Sequence, residues 1–142
     1  MSDPRATLLH VLDPEASYET FTADNSSITY SITETGGSTK VGLAVTLVSG
    51  LVETAAADEF ILGKLIRVEK DLTCLVQVGG KMTLGGGNGA TLTQGARIVG
   101  ALNASSAEGY VKAAASGTAA HHVISRGFII DATDTAAVVV RL

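Results

Sequence analysis

Residues 79–102 read GGKMTLGGGNGATLTQGARIVGAL, and Gly85, Gly87 and Ala90 match the spacing of a dinucleotide-binding loop. That chemistry needs a helix N-terminus behind the glycines to hold a pyrophosphate. The residues that follow, TLTQGARIVGAL, alternate and carry β-branched side chains, which predicts strand. No Gly-Lys-Ser/Thr follows, so a P-loop is excluded as well. The glycines are expected to connect two strands, supplying positive φ at little steric cost.

The other reactive residue types are sparse. His121 and His122 are adjacent. On a strand, neighbours point to opposite sheet faces, so the two would not share a metal, and a surface or turn pair is expected. Asp131 and Asp134 flank a turn before the last apolar run, where such side chains accept from backbone amides. A calcium loop needs more oxygen ligands at closer spacing. Cys74, the one cysteine, lies in the apolar run TCLVQV and reads as a small buried hydrophobe. No Gly-x-Ser-x-Gly elbow marks a nucleophile. Nothing assembles a nucleophile, a base and a charge stabiliser, so neither an enzyme nor a cofactor or metal is expected.

The elements that carry these residues are short. Of the 142 residues, 46% are hydrophobic and 17% charged, which is enough for one packed domain and too apolar for general disorder. Aromatics are 4%, thin for a site that stacks bases or sugars. The net charge is −4 and the Lys and Arg residues are scattered singly, so no nucleic-acid partner is expected. No apolar run reaches membrane-span or signal-peptide length, which predicts a protein made in a cytoplasm with no membrane partner.

From Ser27 onward the pattern is strand, polar turn, strand. SITYSIT would place Ile28, Tyr30 and Ile32 on one face, and KVGLAVTLVSG would align Val41, Leu43, Val45 and Leu47. EFILGKLIRVEKD carries Gly63, expected to mark a bulge or bend, and strand is favoured there over an alanine-rich helix. TCLVQV, KMTL, ATLT, ARIVGAL, GYVKAAA, HHVISRGFIIDA and TAAVVVRL continue the series. The fold class is therefore all-β, a compact barrel or sandwich, nearly free of helix. Residues 1–25 contain both prolines and an apolar LLHVL without sustained period. They are expected to form an N-terminal arm preceding a β-rich domain over residues 26–142. A short helix from Pro4, capped by Asp3, is one form the arm could take.

The segments KVGLAVTL, LGKLIRVEKDLTCLVQVGGKMTL, GARIVGAL, GYVKAAAS and GFIIDATDTAAVVVRL together resemble the small decoration, or cement, proteins of tailed-bacteriophage capsids, over about Lys40 to Leu142. The resemblance is one of order and spacing, and residues 1–39 match less well. It implies a structural virion protein on the outer surface of the capsid, assembled as a homotrimer. Its partner would be the major capsid protein, and it would staple neighbouring capsomers together. The arm residues Pro4, Leu8, Leu9, Val11, Leu12, Tyr18 and Phe21 are then the expected capsid contacts. Another phage structural part, such as a head-fibre base or tail component, and a carbohydrate-binding β-sandwich are the alternatives.

Overall fold

The computed structural model describes residues 16–142. Ten strands dominate it: β1 (Ser17–Ala23), β2 (Ala44–Val48), β3 (Leu51–Thr54), β4 (Gly63–Val68), β5 (Thr73–Gly79), β6 (Lys81–Leu84), β7 (Ile98–Ala101), β8 (Tyr110–Ala113), β9 (Phe128–Asp131) and β10 (Val138–Arg141). A 3₁₀ turn at Thr35–Gly37 and one short helix, α1 (Ala119–Ile124), complete the regular structure. The all-β expectation holds.

Five strands close into a barrel in the order β1-β3-β2-β4-β5. Its interior is Ala23, Ile28, Val45, Val52, Leu65, Val68, Cys74 and Val76, all buried. Cys74 is the buried hydrophobe its run predicted, and burial pushes its thiol pKa up. A three-stranded sheet, β6-β10-β9, and a two-stranded sheet, β7-β8, lie outside the barrel. They enclose a second core of Ile61, Met82, Leu84, Ile98, Val111, Ile129, Val138 and Val140, to which Ala44 and Ala55 also belong. Ala44 is on barrel strand β2, so the barrel wall contributes to both cores.

The turns are set by local chemistry. Val48 pairs with Leu51, and Ser49 and Gly50 between them have φ of 51° and 82°. Positive φ at both central residues is the type I′ pattern, whose twist suits a two-residue hairpin. Strand β4 does carry a bulge, but its register shift lies between Leu65 and Arg67 rather than at Gly63. Gly63 is required for another reason. A Cβ there would stand 2.0 Å from the Gln77 carbonyl oxygen on β5. The glycine marks close backbone approach.

Several sequence expectations are corrected. SITYSIT is not a strand. The Asp24 carboxylate accepts the backbone N–H groups of Ser26, Ser27 and Ile28 at 3.2, 2.9 and 3.0 Å. These amides are bonded locally instead of to a ladder. Ile28 is consequently buried while Ile32 is 85% exposed, so they share no face. Val41 and Leu43 lie in the turn before β2, and Leu47 is exposed where Val45 is buried. ATLT is irregular. HHVISR begins in helix α1, whose short span Ala119–Ile124 opens on two alanines, good helix formers. Finally, Ser17–Ala23 belongs to the barrel, paired antiparallel with β5 along its length and parallel with β3 at Thr22 and Ala23. The body therefore begins by Ser17, and not at residue 26.

Candidate functional site

The glycine-rich loop between β6 and β7 lines a cleft of about 500 Å³ together with Thr91, Asn103, Lys112 and His121. The amides of Gly86, Gly87, Asn88 and Ala90 are already bonded and are not free to hold a phosphate. Gly86 donates to the Thr135 carbonyl at 2.8 Å, Gly87 to Val111 at 2.9 Å, Asn88 to Leu102 at 2.8 Å and Ala90 to Gly87 at 3.2 Å. No helix follows the loop, which runs on in irregular chain to β7. The loop connects two strands, as expected, but positive φ is not what requires its three consecutive glycines. From Gly85 to Gly89 only Gly89 has it, at 60°. A Cβ on Gly85 would meet the Tyr110 ring at 2.8 Å, on Gly86 the Thr135 carbonyl at 2.7 Å, and on Gly87 the Ala101 Cβ at 2.5 Å. The glycines let the loop lie flat against β8, the end of β7 and the turn before β10.

Lys112 and His121 of the cleft lining join Asp58 in a three-residue polar cluster that spacing along the chain did not reveal. Asp58 Oδ1 is 2.7 Å from Lys112 Nζ and 2.9 Å from His121 Nε2. The Ala115 N–H donates to His121 Nδ1 at 2.9 Å. With Nδ1 accepting, the neutral ring carries its proton on Nε2 and donates it to Asp58. His121 is buried, contrary to the surface pair expected, whereas His122 is exposed and bonded to the Ser116 carbonyl. The hydrogen bond from Lys112 is the largest of the influences that hold the Asp58 carboxyl below its ordinary pKa, with His121 adding to it.

An Asp–His pair invites comparison with a hydrolytic triad, but the geometry does not complete one. Both imidazole nitrogens are occupied, one by a carboxylate and one by a main-chain donor, and among the described residues no hydroxyl or thiol bonds to the ring. Lys112 is neutralised by Asp58. The cluster joins the chain ahead of β4, strand β8 and helix α1. Asp58 takes φ of 63° and donates its own N–H to the Gly100 carbonyl of β7. Among the described residues, no group of three or more His, Cys, Asp or Glu side chains is placed to hold a metal ion.

The carboxylates at the other candidate turn act as expected. Asp131 accepts from Thr133 N–H and Oγ1 at 2.9 and 2.6 Å, and Asp134 from Ala136 N–H at 2.9 Å. The Thr133 hydroxyl, followed by its amide, lowers the Asp131 pKa.

Of the expected arm contacts, Pro4, Leu8, Leu9, Val11 and Leu12 lie outside the described residues. Tyr18 and Phe21 are on β1. Tyr18 is 51% exposed, whereas Phe21 packs against the barrel core. A group of exposed apolar side chains that the sequence reading did not single out is Leu47, Val48 and Leu51, at the tip of the β2–β3 hairpin. Because β3 starts at Leu51 and runs parallel to β1 from Thr22, this tip points toward the end of the barrel where β1 begins. No family model, curated protein or solved structure matches the chain.

Proposed function

We propose that the protein is a capsid decoration protein of a tailed bacteriophage, a non-enzymatic part that attaches to the outer capsid face and bridges capsomers. The observation that carries this reading is the placement of apolar surface at one end of a closed barrel. Leu47, Val48 and Leu51 are exposed on the hairpin tip, and β1 enters at that same end with Tyr18 exposed. The segment that precedes β1 contains LLHVL. Apolar residues exposed toward the end of the barrel at which β1 begins suit a contact made by arm and body together.

Attachment through several copies multiplies weak contacts. In a homotrimer each bound arm raises the effective concentration of the others, so modest burial per arm gives long residence. Each leucine fully buried on the shell would contribute roughly 1.5–3 kcal/mol. The polar cluster at Asp58 and the glycine loop serve the body in this reading, not a reaction.

The test uses two truncations and undecorated capsids. Removal of residues 2–15 is expected to leave the barrel folded by circular dichroism and to reduce capsid occupancy measured by co-sedimentation. Removal of residues 2–23 also takes β1 out of the barrel and is expected to unfold it. Full occupancy by the first truncation would refute the arm as the staple. A monomer by light scattering, found also as isolated monomers on shells, would refute the trimer. A ring or tube in solution would instead indicate another phage structural component.

A further inference from the structure

We propose that Asn88 is a self-modifying site, at which the asparagine converts without an enzyme to a mixture of aspartate and isoaspartate. The reaction is attack by the backbone nitrogen of the following residue on the asparagine side chain. The Gly89 nitrogen, giving up its proton to base, bonds to Asn88 Cγ. The Cγ–Nδ2 bond breaks, and Nδ2 leaves as ammonia after gaining a proton. The resulting five-membered imide is opened by water at either carbonyl, one giving aspartate and the other isoaspartate. The sum is amide plus water to acid plus ammonia, with no redox change.

Three features single out this position. First, the attacking nitrogen is free. From Gly86 to Ala90 every other N–H has a backbone acceptor, but the Gly89 N–H has none among the described residues. Second, the attack is unhindered. Gly89 has no side chain, and nothing lies within 4 Å of where its Cβ would be. Third, the site is open to water, since Asn88 and Gly89 are both exposed on the cleft rim.

The two other asparagines lack this combination. Asn25 precedes Ser26, whose N–H donates to Asp24 Oδ1 at 3.2 Å and is therefore occupied. Asn103 precedes Ala104, and its Oδ1 accepts from Ser105 and Ala107 N–H at 2.9 Å each, which pins the side chain in its turn. Conversion at Asn88 has a local consequence as well. It puts a new carboxylate on the rim of the cleft that Lys112 and His121 line. The isoaspartate form also adds a methylene to the main chain within the turn closed by the Ala90 N–H to Gly87 carbonyl bond.

The three asparagines fall in three different tryptic peptides, residues 6–40, 82–97 and 98–112, so each can be followed separately. The intact protein is incubated in warm, mildly alkaline ¹⁸O-water, then digested at acidic pH in ordinary water and analysed by mass spectrometry. The expected result is loss of the Asn88 amide with ¹⁸O incorporation, isoaspartate in the 82–97 peptide by fragmentation, and a more acidic band on isoelectric focusing. The Asn25 and Asn103 peptides remain amidated over the same period. Asn88→Gln, whose side chain would have to close a larger ring, should keep its amide, and Gly89→Ala should slow conversion. Retention of the Asn88 amide, or conversion of Asn25 or Asn103 at an equal or greater rate, would overturn the proposal. Equal rates in Gly89→Ala and the parent would overturn the assigned role of Gly89.

Discussion

Replacing Arg126 should weaken the joint between the barrel and the outer sheets. The residue sits beside Ile98 on the outer sheets, and its main chain exchanges hydrogen bonds with Ile98 at 3.2 and 3.3 Å. Its guanidinium reaches the barrel, donating to the Leu62 carbonyl at 2.8 Å and the Val78 carbonyl at 2.7 Å. A third contact, to Ile61 at 3.4 Å, is too long to count for much. The guanidinium carbon also lies 5.7 Å from the Phe60 ring centre, a geometry worth about 0.5–1 kcal/mol at a partly exposed site. Hydrogen bonds from a charged donor contribute about 1.5–3 kcal/mol each.

Two such bonds give an upper figure near 6 kcal/mol, which must be discounted. Burial lowers the Arg126 pKa, so desolvation offsets part of the gain, and water can reach a half-buried site after truncation. Arg126→Ala should therefore cost about 2–4 kcal/mol. At roughly 3–4 °C per kcal/mol for a chain of this size, the melting temperature should fall by about 6–16 °C. Arg126→Lys keeps the charge but loses the planar fork that serves two carbonyls at once, and should cost about half as much. Urea unfolding followed by circular dichroism gives the energy. Amide exchange at Val76 in the barrel and Val140 outside it reports whether the two parts loosen separately. A midpoint for Arg126→Ala within about 0.5 kcal/mol of the parent, the range of ordinary surface substitutions, would refute the clamp.

Gly63→Ala and Gly100→Ala should each destabilise by about 3 kcal/mol or more, because the new Cβ would stand 2.0 Å from the Gln77 and Ala56 carbonyl oxygens. Gly117→Ala, with open space around it, should be neutral or stabilising by up to about 1 kcal/mol, and urea midpoints compare all three. For Asp24, burial raises the pKa but is outweighed by hydrogen bonds from Ile28, Ser27 and Ser26, so the folded value is depressed. Its contribution is thus present above the unfolded value of about 3.9 and is lost as pH falls through the folded one. Asp24→Asn should flatten that acid limb, and an unchanged limb in melting temperature against pH would contradict the assignment. Cys74 should resist thiol reagents until the barrel opens, since it is fully buried and its pKa is raised. Labelling should track urea unfolding, and rapid labelling of the native protein would be inconsistent with its position.

Legibility from the sequence follows from how each segment is held. KMTL has one buried and one outward face, so alternation in the sequence mirrors alternation in space. VVVR and the first four residues of TCLVQV alternate between buried and half-buried sites and were found for the same reason. Strand β1 escaped because SYETFTA is exposed over most of its length and is held by main-chain pairing to β5, which leaves no apolar period to read. SITYSIT misled for the opposite reason. Its period is genuine, but the preceding Asp24 satisfies the amides of its first residues. The Asp58, Lys112 and His121 cluster could not be read from spacing at all, since tertiary folding brings together residues far apart in the chain. The faint signal was the acid in AAADE, which proves to hold a left-handed conformation.

The polar groups that most resemble catalytic machinery are used up in joining parts of the body. Asp58 ties the segment before β4 to β7, β8 and α1, Arg126 ties the outer sheets to the barrel, and the amides of Gly86, Gly87 and Asn88 are spent on the turn before β10, on β8 and on the residue after β7. These are the contacts a two-core body needs, because each core alone has few large side chains and no tryptophan to bury. Removing such a group for use on a substrate would open the seam it closes. The hairpin tip is under no such demand. The side chains of Leu47, Val48 and Leu51 stand out from a hairpin that is held by main-chain pairing. A partner can cover them without disturbing either core. That difference is why the proposed capsid contact is assigned to the apolar end of the barrel and not to the cleft that Lys112 and His121 line.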